Sequence, residues 1–175
     1  ITNLQGESYS HTLQVDASYP FFDGLTFTAA YRLNDVKSTY GGFLMEHPLI
    51  SRYKGLFTAS YKTPLELWQL DATLQLNGGG RMPTPYTKAD GTLSWNKRFS
   101  PYSQLSAQVT RIFRHWSVYA GGENLTGFTQ KNPIIGADNP WGNRFEPTMI
   151  WGPTHGAMIY AGIRFNLEKM TKFIE

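Results

Sequence analysis

Hydrophobic and polar residues alternate with a period of two in seven segments of the chain. In the last of them, one face carries Ile159, Ala161, Ile163, Phe165 and Leu167, and the opposite face carries Met158, Tyr160, Gly162, Arg164 and Asn166. This period predicts a β-strand with one apolar and one mixed face. The seven predicted strands cover residues 9–19, 25–33, 51–62, 68–76, 102–113, 116–123 and 157–167.

The connections between these segments alternate strictly between short and long. The short ones are 20–24, 63–66 and 114–115, and the long ones are 34–50, 77–101 and 129–156. Outer-membrane barrels have short periplasmic turns and long extracellular loops. The pattern therefore predicts an all-β fold: an antiparallel up-and-down transmembrane β-barrel segment of about seven strands, or about eight if residues 145–151 also pair.

The length of the strands and their aromatic ends indicate that the apolar face contacts lipid. About ten residues at a rise of about 3.4 Å and a tilt of about 45° span about 24 Å, close to the apolar band of such barrels. Aromatic residues flank several strands on the apolar face, as at Tyr53 and Tyr61. The mixed face would line a wet lumen, and its charged residues include Asp16, Arg32, Lys54, Asp71, Glu123 and Arg164. Arg111 has the apolar parity, which a snorkelling side chain or a shift in register would explain.

Composition excludes several classes of protein. Aromatic residues make up 15% of the 175 residues, and the mean hydropathy is −0.37, so no stretch resembles an apolar membrane helix. The net charge of +3 is spread along the chain, which predicts no nucleic-acid partner. There is no cysteine, and therefore no disulfide framework or thiol nucleophile.

The residues that could carry chemistry do not form a catalytic or metal-binding pattern. His11, His47, His115 and His155 are far apart and lack the spacing of paired metal ligands. No segment resembles a nucleophile elbow. We therefore expect no enzymatic activity, no metal and no cofactor. The candidates for contact with a ligand are four loop aromatics and two lumen arginines: Tyr40, Tyr86, Trp141, Trp151, Arg32 and Arg164. Loop packing for the aromatics, and contact with a plug for the arginines, are the alternatives.

The end of the chain carries motifs of a known family. Ser117 to Phe128, with its Gly-Gly-Glu-Asn-Leu-Thr-Gly run, resembles a strand near the end of TonB-dependent outer-membrane receptors. Residues 131–135, 138–140 and 149–153 resemble the last extracellular loop of the Bacteroidetes members of that family, and residues 160–167 resemble their closing strand. The resemblance is specific over residues 116–167, and the earlier strands agree in pattern.

This resemblance implies a location in the bacterial outer membrane and a role in transport. The family forms a 22-stranded barrel with a plugged lumen, driven through the TonB system, and imports a siderophore, haem, cobalamin, a glycan or a peptide. We expect residues 1–167 to be the C-terminal portion of such a barrel and 168–175 to be a tail. The expected partners are lipid, a plug domain, the remaining strands, the TonB system indirectly, and the nutrient.

Two further interpretations of the pattern remain open. One is a small, self-contained outer-membrane barrel with an adhesive or structural role. The other is a secreted β-sandwich that binds sugars through loop aromatics. The first and last predicted strands run in the same direction, because seven is an odd number. We therefore expect the partner of residues 157–167 to lie outside these 175 residues.

Overall fold

The computed structural model describes residues 5–87, 90–94, 97–143 and 145–166. In chain order, the strands of this part are β1 (Ser8–Phe22), β2 (Leu25–Tyr40), β3 (Phe43–Glu46), β4 (Tyr53–Lys62), β5 (Trp68–Asn77), β6 (Gly80–Arg81), β7 (Tyr86–Thr87), β8 (Leu93–Ser94), β9 (Arg98–Phe99), β10 (Tyr102–Ile112), β11 (Trp116–Glu123) and β12 (Met158–Phe165). One turn of 3-10 helix, Pro64–Glu66, joins β4 to β5. The predicted tail at 168–175 lies outside the described residues.

Eight of these strands form one antiparallel sheet. Its order is β1-β2-β4-β5-β10-β11-β12, and β3 pairs with the far end of β2. The order across the sheet follows the order along the chain, as in an up-and-down topology. The predicted all-β antiparallel sheet of seven to eight strands is confirmed. Among the described strands, β1 and β12 each have one neighbour, so the sheet has two open edges.

The register places apolar residues opposite apolar residues on every strand. One row crosses all seven main strands and consists of Tyr19, Phe27, Ala59, Ala72, Ala107, Gly122 and Ile159. Because side chains alternate between the faces of a strand, this register gathers the predicted apolar positions on one side of the sheet. The six predicted charges of the mixed face keep the opposite parity.

The sheet is a single layer without an apolar core. Among the described residues, the buried apolar side chains are Met82 and Phe99, and both lie in the connection between β5 and β10. On the apolar face, by contrast, Leu13 is 62% exposed, Ile159 86% and Phe165 72%. An ordinary soluble domain buries such a face against a second layer. Here the apolar face is uncovered in the part of the chain that the structure describes.

The polar face is held together by hydrogen bonds between neighbouring strands. The hydroxyls of Thr58 and Thr73 lie 3.2 Å apart, and Ser60 donates to the Asp71 carboxylate at 2.6 Å. Within β5 itself, Gln69 also donates to Asp71, at 3.0 and 3.1 Å. Cross-strand pairs such as Thr58 with Thr73 and Ser60 with Asp71 stabilise a sheet. They also satisfy the polar groups that this face carries.

The stretch at residues 34–50 was predicted to be irregular, and this is wrong for most of it. β2 continues to Tyr40, paired with β1 from Ser8 onward, and then turns at Gly41 and Gly42 into β3. Both glycines have positive φ, 56° and 83°, as a two-residue hairpin turn requires. The alternation of apolar and polar residues ends near Asn34, whereas backbone pairing needs no apolar side chains and continues beyond it.

The other two long connections differ from each other. Residues 77–101 contain two small hairpin sheets, β6 with β9 and β7 with β8. Residues 129–156 contain, in their described part, one isolated bridge between Ile135 and Glu146. Residues 145–151 therefore do not add the eighth strand, which is β3 instead.

Arg111 remains on the apolar face without a break in register. It pairs with Trp68 on one side and Val118 on the other, so a shift in register does not explain it. Its guanidinium lies 4.9 Å from the Trp68 ring centre and 5.4 Å from that of Phe113, and donates to the Leu67 carbonyl at 3.3 Å. The charge is thus held among aromatic rings and a turn carbonyl at the short-turn end of the sheet.

Candidate functional site

The predicted ligand-contact residues lie in separate places. Tyr40 ends β2 and Trp151 lies in the 129–156 connection, so both are at the end of the sheet that carries the long connections. Arg32 projects from the polar face of β2 near that end. Arg164 lies near the opposite end, paired with Ser117 just after the 114–115 turn. A single site made of all these residues is therefore not formed.

A cavity of about 870 Å³ lies beside the β3 hairpin and includes Tyr40. Its walls come from three parts of the chain: the β2–β3 hairpin, the start of the 77–101 connection, and β8. The lining residues are Tyr40, Gly41, Phe43, Leu44, Met45, Pro48, Arg81, Pro83, Leu93 and Ser94. Most of these side chains are apolar, and Phe43 and Leu93 are 73% and 67% exposed. An open apolar cavity with one cation is therefore present at the long-connection end.

Arg81 is the charged group of this cavity, and the sequence did not reveal it. The residue is only 5% exposed. Its Nε donates to the Glu46 carbonyl at 2.5 Å, and its guanidinium carbon lies 5.7 Å from the Tyr40 ring centre. Its own backbone carbonyl accepts from the Leu49 N–H at 2.9 Å. Arg81 follows three glycines in the long connection 77–101, where apolar and polar residues do not alternate, so nothing in the pattern indicated burial.

The carboxylate next to Arg81 is already engaged by other cations. Glu46 Oε2 lies 2.7 Å from Arg98 Nη1, and Glu46 Oε1 lies 3.8 Å from Arg52 Nε. Arg81 takes part in none of the ion pairs found among the described residues. Two arginines thus flank the Glu46 carboxylate, while Arg81 contacts the backbone carbonyl of the same residue.

Trp151 belongs to an aromatic cluster that joins two long connections. Its ring stacks on Phe99 at 5.0 Å and lies 5.9 and 6.0 Å from the rings of Tyr102 and Phe128. The backbone N–H of Trp151 donates to Gln130 Oε1 at 2.8 Å. These contacts match the loop-packing interpretation of this residue.

Trp141 is not among the described residues that line the cavity. Trp141 is 96% exposed. Tyr86 lies in β7, but its side chain is outside the described part of the structure.

The two arginines of the polar face line separate depressions. Arg32 lies opposite Lys54 and Gln14, in a depression of about 220 Å³. The guanidinium of Arg164 lies 5.8 Å from the Tyr119 ring centre, beside a depression of about 240 Å³ near the short turns. Both charges face the polar side, as the parity predicts.

The described residues contain neither a metal-binding cluster nor a membrane-spanning helix. No group of three or more His, Asp or Glu side chains is close enough together to hold a metal ion there. His47, which lies next to the β3 hairpin, has its Nδ1 3.3 Å from the Pro48 carbonyl oxygen. Within the same residues, no helix has the length and apolar character needed to cross a membrane.

Comparisons of the chain with protein-family models, with curated proteins and with solved structures found no match.

Proposed function

We propose that this chain forms part of the wall of a TonB-dependent outer-membrane transporter that imports a scarce ligand. The proposal rests on the motifs at residues 116–167 and on the faces of the sheet. In it, the apolar face contacts lipid, the polar face lines the lumen against a plug domain, and the long connections face outward.

The observation that carries the proposal is the uncovered apolar face. Its exposed residues extend over all seven main strands, including Leu13, Phe27, Phe57, Leu70 and Ile163. Burying one such side chain is worth about 1.5–3 kcal/mol. A patch of this extent marks an interaction surface, since soluble monomers rarely expose more than a few hundred Å² of contiguous apolar area. Lipid is the covering that suits a single layer with polar groups on the opposite side.

The open edges support a larger barrel. Backbone N–H and C=O groups that face hydrocarbon must be paired, so β1 and β12 need neighbours in a membrane. In the proposed transporter these neighbours are the remaining strands of the barrel. The first and last strands of the sheet are parallel, which argues against direct closure of β12 on β1 in an antiparallel barrel.

The small adhesive or structural barrel is the second candidate. It shares the lipid-facing side, and would close its edges with fewer strands or with further copies of the chain. The β-sandwich is less favoured, because it needs a second large sheet against the apolar face. The other sheets among the described residues have two strands each.

Spin labelling tests the contact with lipid. The chain has no cysteine, so single cysteines can be introduced along residues 105–110 of β10 and labelled with a nitroxide in the complete, membrane-reconstituted protein. We expect positions 105, 107 and 109 to collide with oxygen and positions 106, 108 and 110 with a water-soluble nickel chelate. Uniform exposure to the nickel chelate at all six positions would contradict the proposal.

Gene deletion tests the transport step. We expect the deleted strain to lose growth on one limiting nutrient, supplied in turn as a siderophore, haem, cobalamin, a glycan or a peptide. Uptake should also stop when the proton-motive force is collapsed. A strain that takes up all of these normally, but no longer attaches to surfaces, would favour the adhesive barrel.

A further inference from the structure

We infer that the cavity beside the β3 hairpin binds a small organic anion with an apolar body, whose negative group is held by Arg81. The inference deepens the proposed function by assigning a class of ligand to the outward end of the sheet. It rests on the proposed function only in assuming that the ligand arrives from outside the cell. The class of ligand is argued from the residues of the cavity alone.

The size and walls of the cavity suit a small molecule. Ligand pockets enclose about 300–1,000 Å³ and are mostly apolar, with a few polar groups that fix orientation. This cavity, at about 870 Å³, has that composition: Phe43, Leu44, Met45 and Leu93 offer apolar contact, and Arg81 offers charge. Phe43 and Leu93 are exposed large hydrophobic residues on its walls, where a ligand would remove them from water.

The burial of Arg81 selects the charge of the ligand. A buried cation without a counter-ion is costly, because its hydration is lost and not replaced. Arg81 has the carbonyl of Glu46 and the ring of Tyr40 as partners, but no carboxylate among the described residues. A guanidinium has five N–H donors, and within the described part of the chain only the one on Nε has a hydrogen-bond acceptor. Its two terminal nitrogens match the paired oxygens of a carboxylate, sulfonate or phosphate.

The surrounding charges favour an anion over a cation. The Glu46 carboxylate, which would otherwise attract a cation, is engaged by Arg98 at 2.7 Å. Arg52 lies 3.8 Å from the other oxygen of the same carboxylate, so its charge is offset there and not in the cavity. Arg81, which lines the cavity and has no carboxylate partner among the described residues, is therefore the positive charge that attracts an anion there.

A purely structural role for Arg81 makes a different prediction. In that role the side chain only fastens the β3 hairpin to β6 through the Glu46 carbonyl. Its replacement would then loosen the hairpin but would leave no difference between charged and neutral ligands. The ratio of the affinities for a charged ligand and for its neutral counterpart is therefore the quantity to measure.

The test is calorimetric titration of the complete protein in lipid nanodiscs, with empty nanodiscs as the blank. The probes are naphthalenesulfonate and the neutral naphthalenesulfonamide, which have the same aromatic body. We expect the protein to bind the sulfonate at least about tenfold more tightly than the sulfonamide, as a charge-assisted hydrogen bond implies. Arg81→Gln should abolish this preference. The matched control, Arg52→Gln, removes an equal charge outside the cavity wall and should keep it.

A second variant tests the same cavity without changing Arg81, in case Arg81→Gln fails to fold. Leu93→Asp places a negative charge on an exposed wall of the cavity and should weaken sulfonate binding about tenfold. Leu65→Asp makes the same change at an 87% exposed position in a short turn and should leave binding unchanged. Equal binding of the two probes by the wild-type protein, or equal losses in Arg81→Gln and Arg52→Gln, would overturn the inference. The spin-label pattern on β10 is independent of these titrations, so failure of the proposed function would be seen separately.

Discussion

The ring of Tyr119 lies against the backbone of Gly162, its direct partner across β11 and β12. The relationship is reciprocal, because Tyr160 covers Gly121 in the neighbouring pair, where an added Cβ would lie 2.6 Å from the Tyr160 hydroxyl oxygen. That hydroxyl donates to Gln108 Oε1 at 3.1 Å. Each tyrosine thus fills the space that a glycine leaves on the polar face.

Gly162→Ala should destabilise the protein by about 1 kcal/mol, because its Cβ would displace the Tyr119 ring. The measurement is the urea dependence of unfolding of the reconstituted protein. Gly156→Ala is the control, since a Cβ there meets nothing within 4 Å, and it should change stability little. Adding Tyr119→Ser to Gly162→Ala should cost less than the sum of the two single changes. Strict additivity would contradict this contact.

Arginine substitution at adjacent positions of β10 should have unequal effects. Ala107 lies on the apolar face in the middle of the strand, and Ser106 on the polar face. Ala107→Arg should cost about 2–4 kcal/mol, the cost of a charge at the bilayer midplane. Ser106→Arg should cost much less, because its side chain lies on the polar face of the sheet. Equal unfolding free energies for the two variants in lipid vesicles would show that the apolar face does not contact lipid.

Gln130 should hold the last long connection in place. It is 6% exposed, donates to the Met149 carbonyl at 2.9 Å, and accepts from the N–H groups of Trp151 and Gly152 at 2.8 and 3.2 Å. Removing this side chain leaves buried groups unsatisfied, which costs about 1–3 kcal/mol. We expect Gln130→Ala to speed hydrogen exchange of the Trp151 and Gly152 amides about tenfold or more.

The variant Gln130→Glu separates the hydrogen bonds that the Gln130 side chain accepts from the one that it donates. It keeps the oxygen that accepts from Trp151 and Gly152 but loses the donor to Met149. Exchange at the two amides should therefore remain slower than in Gln130→Ala. Unchanged exchange in both variants would show that the aromatic cluster around Trp151 holds the segment alone.

Glu146 should titrate at an unusually low pH. The hydroxyl and N–H of Thr148 donate to its Oε1, which lowers the pKa of the carboxyl below its usual range. Because the folded pKa is below the unfolded one, the interaction stabilises this loop above the unfolded pKa. That contribution is lost as the pH falls through the folded pKa. An NMR titration of the Glu146 carboxyl should show the low pKa, and Thr148→Ala should raise it. No change in Thr148→Ala would contradict this cause.

The sequence alone determined the main strands of the sheet and the face to which each of their residues belongs. Period-two alternation depends only on the pleat of the backbone, so Leu105 and Ala107 were assigned to one face and Gln104 and Ser106 to the other before any pairing was known. The parity of Arg32 and Arg164 followed in the same way. The turn at residues 114–115 was also evident, since the alternation stops and resumes there.

Only the tertiary structure decided what happens beyond the alternating segments. The extension of β2 to Tyr40 depends on backbone pairing with β1, which polar side chains do not signal. The burial of Arg81 depends on a hairpin and a glycine-rich connection that meet in space although they are far apart in the chain. Such tertiary contacts depend on the register of the strands and on how the loops fold, and no local pattern in the sequence encodes them.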